Sequence, residues 1–499
     1  MSVIDRIIKE FSPERAVKRA AHKAQLRLIS DHQRRYEGAA FGDRHSGWYG
    51  KTNESLNQMI HRDQKNLVLR SRNLAINNPY AKKAPKTIAN NVIGSGIIPT
   101  PKGRSKSVVK QLKDLWKDWG ESLVCDYDGR FNFYGLQKMA MRSVVIAGEI
   151  LVIRKRVESS VNKFGLQILL LEGEYIDQTK HNYSGGFPTT GEYDYYGIRY
   201  NSKNKIVGYW IYDRSPLEGN LKSSLVDIKD IIHIFEVDRP QQNRGVPFPS
   251  ATILKQRDLD DYEDAELLGK KAAACMPIFV TNKSEEGEGG VISNDDRVEN
   301  LEPGTITYLK AGESVEMTQP PQNQGYSEYT KTQHRAIANG YGLTYEQYTG
   351  DLSNVNFSSG RMGWLEFQRQ VDDWQNMLII PQLCGPVYKW FLEAVETSTG
   401  INLGGVRVDW TAPRREMIDP VKETNALVKA TQAGFTSWQE VVRQQGYNPD
   451  DVLKEITEDQ NNFSSAGLMP NWTQFFAIMS KIQNATNKNK NAKDTQVPQ

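Results

Sequence analysis

The sequence predicts an α+β fold: helices first, then a mostly antiparallel sheet, then long helices again. Val109, Leu112, Trp116, Trp119 and Leu123 recur every three or four residues, the spacing of one buried helix face. Glu149–Val157 and Leu166–Ile176 are runs of β-formers joined by a polar loop, the pattern of a hairpin. Trp364, Phe367, Val371, Trp374, Leu378, Pro381, Cys384, Val387, Phe391 and Val395 keep helical spacing almost throughout. At 1.5 Å per residue that helix spans roughly 45–50 Å, with a kink expected at Pro381. At 499 residues the chain exceeds one ordinary core, so two to four subdomains are expected.

Taken in order, residues 1–54 form a basic, polar arm. Val3, Ile4, Ile7, Ile8 and Phe11 share one helical face there. That stripe fits a short helix docking on a partner subunit better than a membrane-surface helix. Residues 55–95 read as helical. Asn78 before Pro79 makes a cap followed by a first-turn proline, Pro85 is expected to kink the pattern, and Gly94 and Gly96 end it. Bases outnumber acids between Arg62 and Trp119, which marks a solvated face or one turned to DNA or an acidic neighbour. The two tryptophans on the next stripe read as core. Tyr193–Tyr200 and Ile206–Tyr212 flank a turn at 201–204, and Ile228–Val237 is one more strand.

Pro240, Gly245, Pro247 and Pro249 then stiffen a connector, and Ser250 is the expected cap of a long helix. That helix carries Asp258, Asp260, Asp261, Glu263, Asp264 and Glu266, six carboxylates in nine positions. Something must offset their repulsion: bases of a neighbouring subunit, or free exposure to water. Pro277 stops the helix. A small unit follows, with strands at Ile278–Thr281 and Thr305–Leu309 and a flexible loop at Glu285–Gly290. Its glycines lack the Lys-Ser/Thr of a phosphate loop. Residues 326–343 are helical, Gly350–Arg361 is a polar loop, and a strand ends at Trp410. Turns at Ala433-Gly434 and Gly446-Tyr447 separate short helices in the outline of a DNA-reading motif. Asp450, Asp451, Glu455 and Glu458 make the last helix acidic and argue against base reading. The tail from about Asn484 is rich in Asn and Lys, a composition that favours disorder.

Composition narrows the function classes. Hydrophobic residues make up 38% and the formal net charge is +3, which argues against a protein that coats nucleic acid. Mean hydropathy is −0.60, suited to an extended molecule with much surface. Cys125, Cys275 and Cys384 are odd in number and far apart, which points to a reducing compartment and no disulfide framework. No apolar run has the length of a membrane span, and no secretory signal pattern is present. No nucleophile stands beside a base and no metal-ligand spacing occurs, so no catalytic residue, metal or cofactor is expected. The alternative is a metal-dependent nuclease built on Asp258, Asp261 and Glu263 or Asp264, since clustered carboxylates hold Mg²⁺. Against it, all those ligands lie on one helix with no Lys or His nearby in sequence.

Five segments in order resemble one family. They are RSRNLAINNPYAKKAPKTIANNVIGSGIIP (Arg70–Pro99), FNFYGLQKMAMRSVVIAGEILV (Phe131–Val152), HIFEVDRPQQNRGVP (His233–Pro247) with the acidic helix after it, IANGYGLTYEQYTGDLSNVNFSSGRMGWLEF (Ile337–Phe367) and VDWTAPRREMIDPVKETNA (Val408–Ala426). Over about residues 55–465 the chain resembles the lambda-type portal proteins of tailed bacteriophages. Pro85 and the short basic N-terminus depart from the pattern.

The resemblance implies a portal fold: an α/β wing at 55–248, a two-helix stem at 249–276 and 326–349, and a small α/β clip at 277–325. It further implies a tunnel loop at 350–361, a long kinked helix returning to the wing at 362–419, a helical crown at 420–465 and a tail at 466–499. It implies a homo-oligomeric ring, a dodecamer, at one capsid vertex of a virion assembled in the host cytoplasm. Double-stranded DNA would pass through it non-specifically. A terminase large subunit would dock on it, and later a head-completion or tail adaptor. Major capsid and scaffolding proteins would surround it, and no membrane is involved. Ser353, Asn354, Asn356, Ser358 and Ser359 would be the small uncharged groups of the tunnel loop. Asp258, Asp260, Asp261 and Asp264 would line the stem. Glu285, Glu286, Glu288, Asp295 and Asp296 would be the docking acids of the clip. Another viral ring or inner-capsid protein is the remaining structural alternative.

Overall fold

The computed structural model describes residues 55–103, 105–182, 191–216, 222–274, 278–282, 313–317, 325–413, 417 and 419–465. The chain falls into two units by contact, Met1–Met59 and Ile60–Gln499, and the core belongs to the second. The N-terminal stripe, Cys275, the Glu285–Gly290 loop, the strand expected at Thr305–Leu309 and the tail lie outside the described residues. Within the small unit, β9 (Ile278–Asn282) pairs antiparallel with β10 (Glu313–Met317).

Helix α1 (Leu56–Asn77) turns Gln64, Val68, Ser71 and Leu74 inward. Asn78 breaks it in an extended conformation and caps α2 (Pro79–Val92), accepting a hydrogen bond from Ala81 N at 2.9 Å, with Pro79 at the first position. Pro85 does not end α2. It is buried, and the helix continues beyond it to Val92. Helix α3 (Lys106–Gly120) buries Leu112, Trp116 and Trp119, and α4 (Phe133–Ala147) buries nearly its whole length, from Phe133 to Ala147.

The chain then turns to β structure. Strands β2 (Glu149–Arg156) and β3 (Leu166–Glu172) form the expected hairpin, and β8 (Ile231–Phe235) pairs on the other side of β2. A second sheet is a meander of β4 (Tyr193–Tyr195), β5 (Ile198–Tyr200), β6 (Ile206–Tyr212) and β7 (Ser223–Asp227). The run at Tyr193–Tyr200 is thus two strands, broken at Tyr196-Gly197, where both residues have positive φ. Strand β2 is apolar on both faces because both are covered. Ile150 and Val152 join the helical core, while Leu151 and Ile153 join a second cluster with Ile176, Ile198, Tyr209 and Ile211. Strand β1 (Ile98–Lys102) pairs with β11 (Arg407–Thr411), tying distant parts of the chain together.

Helix α5 (Ile253–Ala274) starts later than expected. Ser250 is not its cap but part of the 3-10 turn Phe248–Ala251, because Pro247 and Pro249 hold the backbone there in a tighter turn. Helix α6 (Tyr326–Gly340) runs antiparallel to α5: Tyr262 stacks on Tyr326 at 5.9 Å, and Gly340 crosses Thr252 so closely that a Cβ would sit 2.6 Å away. After α7 (Tyr345–Thr349), an unbroken helical segment runs from α8 (Phe357–Asp373) through a π-helical stretch (Trp374–Cys384) into α9 (Gly385–Thr399). Pro381 lies within the π stretch. Proline offers no N–H and crowds the carbonyl four residues back, and here the helix widens around it. Gly385 N bonds to Ile380 O, five residues back. Helices α10 (Pro420–Gln432), α11 (Trp438–Gln444) and α12 (Pro449–Ser465) follow.

The Asn78 side chain serves two elements. Its Oδ1 caps α2, while its Nδ2 donates to Asp260 Oδ1 of α5 at 2.7 Å. Asn78→Ala is expected to cost about 1 kcal/mol for the cap alone, read as a lower denaturant midpoint. An unchanged midpoint would show that neither bond contributes.

Candidate functional site

Three features sit where the α/β part meets the long helices. The first is the loop Gly350–Asn356. Thr344 and Gln347 form a reciprocal cap that starts α7, and Gly350 ends it with φ +84. Asp351 then organises the loop: Ser353 N and Oγ donate to its Oδ1 at 3.0 and 2.6 Å, and Tyr345 Oη donates to its Oδ2 at 3.0 Å. These donors, with the Ser353 hydroxyl leading, pull the Asp351 carboxyl down to about 2. Asn356 caps α8, accepting from Ser359 N at 2.8 Å while its own N–H donates to Ser359 Oγ at 3.2 Å.

This geometry corrects the expected loop at 350–361. The loop ends at Asn356, and Ser358 and Ser359 belong to the first turn of α8, because the Asn356/Ser359 capping box nucleates the helix there. Ser353, Asn354, Asn356, Ser358 and Ser359 are all solvent-exposed. Ser353, Asn356 and Ser359 hold the loop's own shape. A pocket of about 350 Å³ lies under the loop, lined by Lys331, Arg335 and Trp364 among others.

The second feature is the acidic helix. Asp258, Asp261 and Asp264 are exposed. Asp260 is not part of that surface: it is half-buried against Asn78, and burial raises its pKa. The repulsion is met locally as well. Arg257 bridges Asp261 at 3.0 Å, and Lys270 lies 3.6 Å from Glu266. Leu254 and Leu268 are 67% and 64% exposed. At spacings of four and three they fall on the same stripe as Asp258, Asp261 and Ala265. Among the described residues, no three His, Cys, Asp or Glu side chains come together as a metal site. The acids expected at Glu285, Glu286, Glu288, Asp295 and Asp296 lie outside the described residues.

The third feature was not foreseen. Glu149, Arg244 and His233 form a buried polar cluster, their side chains exposed by 2% or less. Arg244 Nε donates to both Glu149 oxygens at 3.0 Å, and Arg244 Nη2 also binds Glu149 and donates to Gly173 O. His233 Nε2 lies 3.0 Å from Glu149 Oε2, and Gly245 N donates to the same oxygen at 2.8 Å. Gln64 Nε2 of α1 closes the set on Gly245 O. Burial works to raise the Glu149 pKa, but the Arg244 guanidinium and the bond from His233 outweigh it and hold the carboxyl well below the usual range. The cluster pins the connector to the start of β2. There, a Cβ on Gly245 would lie 2.0 Å from Gly148 O. The one sequence signal was a carboxylate opening an otherwise apolar strand, EILVI, directly after a glycine.

Comparison with known proteins follows the same outline. The profile described as phage portal protein, lambda family, matches residues 41–375. The chain is similar to the probable portal protein of Halomonas phage phiHAP-1, with 23% identity over 456 residues, covering 85% of each chain. It is also similar to portal protein B of Escherichia phage lambda, with 19% identity over 514 residues, covering 91% of this chain and 94% of that one. Among solved structures it is similar to a chain in the neck of an empty gene transfer agent particle computed with C6 symmetry. That likeness has 15% identity and a TM-score of 0.48, and covers 78% of this chain and 94% of that one.

Proposed function

The chain belongs to the lambda family of phage portal proteins, and on that premise we propose that its copies close into a dodecameric ring at one capsid vertex, the channel for double-stranded DNA during packaging and ejection. The same ring is the platform on which a terminase motor docks and, later, a head-completion or tail adaptor. Wing, stem, clip and crown take the boundaries given above, with the tunnel loop shortened to Gly350–Asn356.

The observation that carries the reading is the loop. It offers small, uncharged groups on a rigid frame set by Asp351 and the α8 cap. A channel must let DNA slide, and each phosphate neutralised by Lys or Arg adds salt-sensitive affinity. Hydroxyl and amide groups contact phosphate without sequence preference and without that charge. Shortening Leu352–Val355 to two glycines is expected to leave rings intact under electron microscopy while DNA packaging is lost. Packaging at the native level would remove the loop's role, and a native chain found only as monomers or filaments would remove the ring.

A second reading concerns the acidic stripe. Bare DNA gives no cover to Leu254 and Leu268, so we assign Asp258, Asp261 and these leucines to a contact between neighbouring subunits, which in a closed ring joins two different patches. Asp264, farther round the helix, remains the channel-facing candidate. The nuclease alternative needs carboxylates that converge on one point; among the described residues no three do so, and Arg257 is paired with Asp261.

A further inference from the structure

Helix α1 has an outward face as well as its buried one. Lys65, Asn66, Leu69, Arg70, Asn73 and Ile76 are exposed on it, Leu69 by 49% and Ile76 by 71%. Between Arg62 and Lys86 the chain holds seven Lys or Arg and one acid, Asp63. Arg62 is bridged to Asp63, and Arg72 to Glu172 and Glu174. Lys65, Arg70, Lys82, Lys83 and Lys86 are exposed and make no ion pair among the described residues. Open apolar side chains set among unpaired bases mark a face that fits an acidic, partly apolar partner.

The stripe on α5 has the matching chemistry. Leu254, Asp258, Asp261, Ala265 and Leu268 are spaced four, three, four and three, and Arg62, Asn66, Leu69, Asn73 and Ile76 of α1 repeat that spacing. At 1.5 Å per residue each stripe is about 21 Å long. From Asp258 to Glu266 there are six acids and no base. Asp260 lies about 120° round α5 from Leu254, where Asn78 of the same chain holds it, so the stripe is turned away from its own α1–α2 joint. The exposed face of α8 is a poorer match, because Met362 and Leu365 stand there among charges of both signs, Arg361, Glu366, Arg369 and Asp373. We propose that the α5 stripe of one copy packs along the outward face of α1 of the next, with Asp258 and Asp261 meeting Lys65 and Arg70 and with Ile76 covering one of the two leucines. The proposal rests on the ring reading and deepens it: a closed ring joins two different patches, and these two have opposite charge and equal length. Their midpoints, Asp261 and Leu69, coincide whichever way the helices run.

The test is a disulfide made between copies of the full-length protein on a Cys275→Ser background. Leu69→Cys with Asp261→Cys is expected to give a ladder of linked chains on a non-reducing gel. The ladder should form at least about tenfold faster than with Leu365→Cys and Asp261→Cys, because only the first pair is held at high effective concentration. All three positions are exposed, so the variants keep the fold. An unchanged mass, or equal rates for the two pairs, in a protein that electron microscopy shows as rings would overturn this pairing and leave the ring standing. A native chain that forms no rings would remove both. Independently, Lys65→Glu with Arg70→Glu is expected to raise the concentration for half-assembly at least about tenfold, and Asp258→Lys with Asp261→Lys on the same chain to restore it. Native assembly of the first variant with weakened capture of a short DNA duplex would give the basic face to DNA and overturn the proposal.

Discussion

Replacing Arg244 by Met is expected to cost about 3–5 kcal/mol of folding stability, because it strands the Glu149 carboxylate in a site closed to water. The pH dependence should change sign with it. In the native protein the folded pKa of Glu149 lies below its unfolded value. Its contribution is therefore present above the ordinary carboxylate range and is lost as pH falls through that range toward the folded pKa. Without Arg244, burial dominates and raises the same carboxyl above its unfolded value. The variant should then gain relative stability as pH falls from about 8 to about 5. Adding Glu149→Gln should recover part of the loss, since no buried charge remains. Denaturant midpoints at several pH values decide it: an Arg244→Met protein with native midpoints would show that the pair does not hold the connector.

Trp119→Ala should be comparably damaging. The indole is fully buried, stacks on Phe391 at 5.3 Å, meets Trp116 at 5.5 Å, and donates from Nε1 to Leu166 O at 2.9 Å. It thereby joins α3, α9 and β3. Truncation removes the ring, leaves a cavity and takes one donor from Leu166 O, which keeps the Asn162 Nδ2 bond at 2.8 Å; the loss is about 4 kcal/mol, most of it packing. Trp119→Phe keeps most of the packing and should cost less. Thermal unfolding would measure both, and equal losses would assign the whole effect to the Nε1–H bond.

Periodicity carried the local readings well. Leu112, Trp116 and Trp119 of the expected stripe form a buried face, although Leu123 falls past the end of α3 and is exposed; the hairpin at β2 and β3 pairs as spaced, and Asn78 caps α2. What spacing does not encode is partnership across the chain. Strand β1 finds β11 more than 300 residues on, and Glu149 finds Arg244 95 residues on. Spacing also assumes one helical pitch, so the widening around Pro381 left no trace in the apolar stripe. In the candidate site the hydroxyls and amides of the loop were legible as polar. Their end was not, because Asn356 and Ser359 reveal a cap only once paired. Asp351 went unnoticed because its role is to accept bonds from its neighbours. Asp260 was grouped with its acidic neighbours, although Asn78 holds it from another helix.

Asn78 also bears on how the molecule ages. Of the usual capping residues, Asp at this position would still accept from Ala81 N but would set a second carboxylate against Asp260. Ser would cap without an amide to donate. Asparagine in most chains drifts toward aspartate as its side chain is attacked by the next residue's backbone nitrogen. Here the next residue is Pro79, whose nitrogen bears no hydrogen. The one position in this joint where slow deamidation would put two negative charges face to face is therefore closed to that reaction, and the joint is protected through the long storage of an assembled particle.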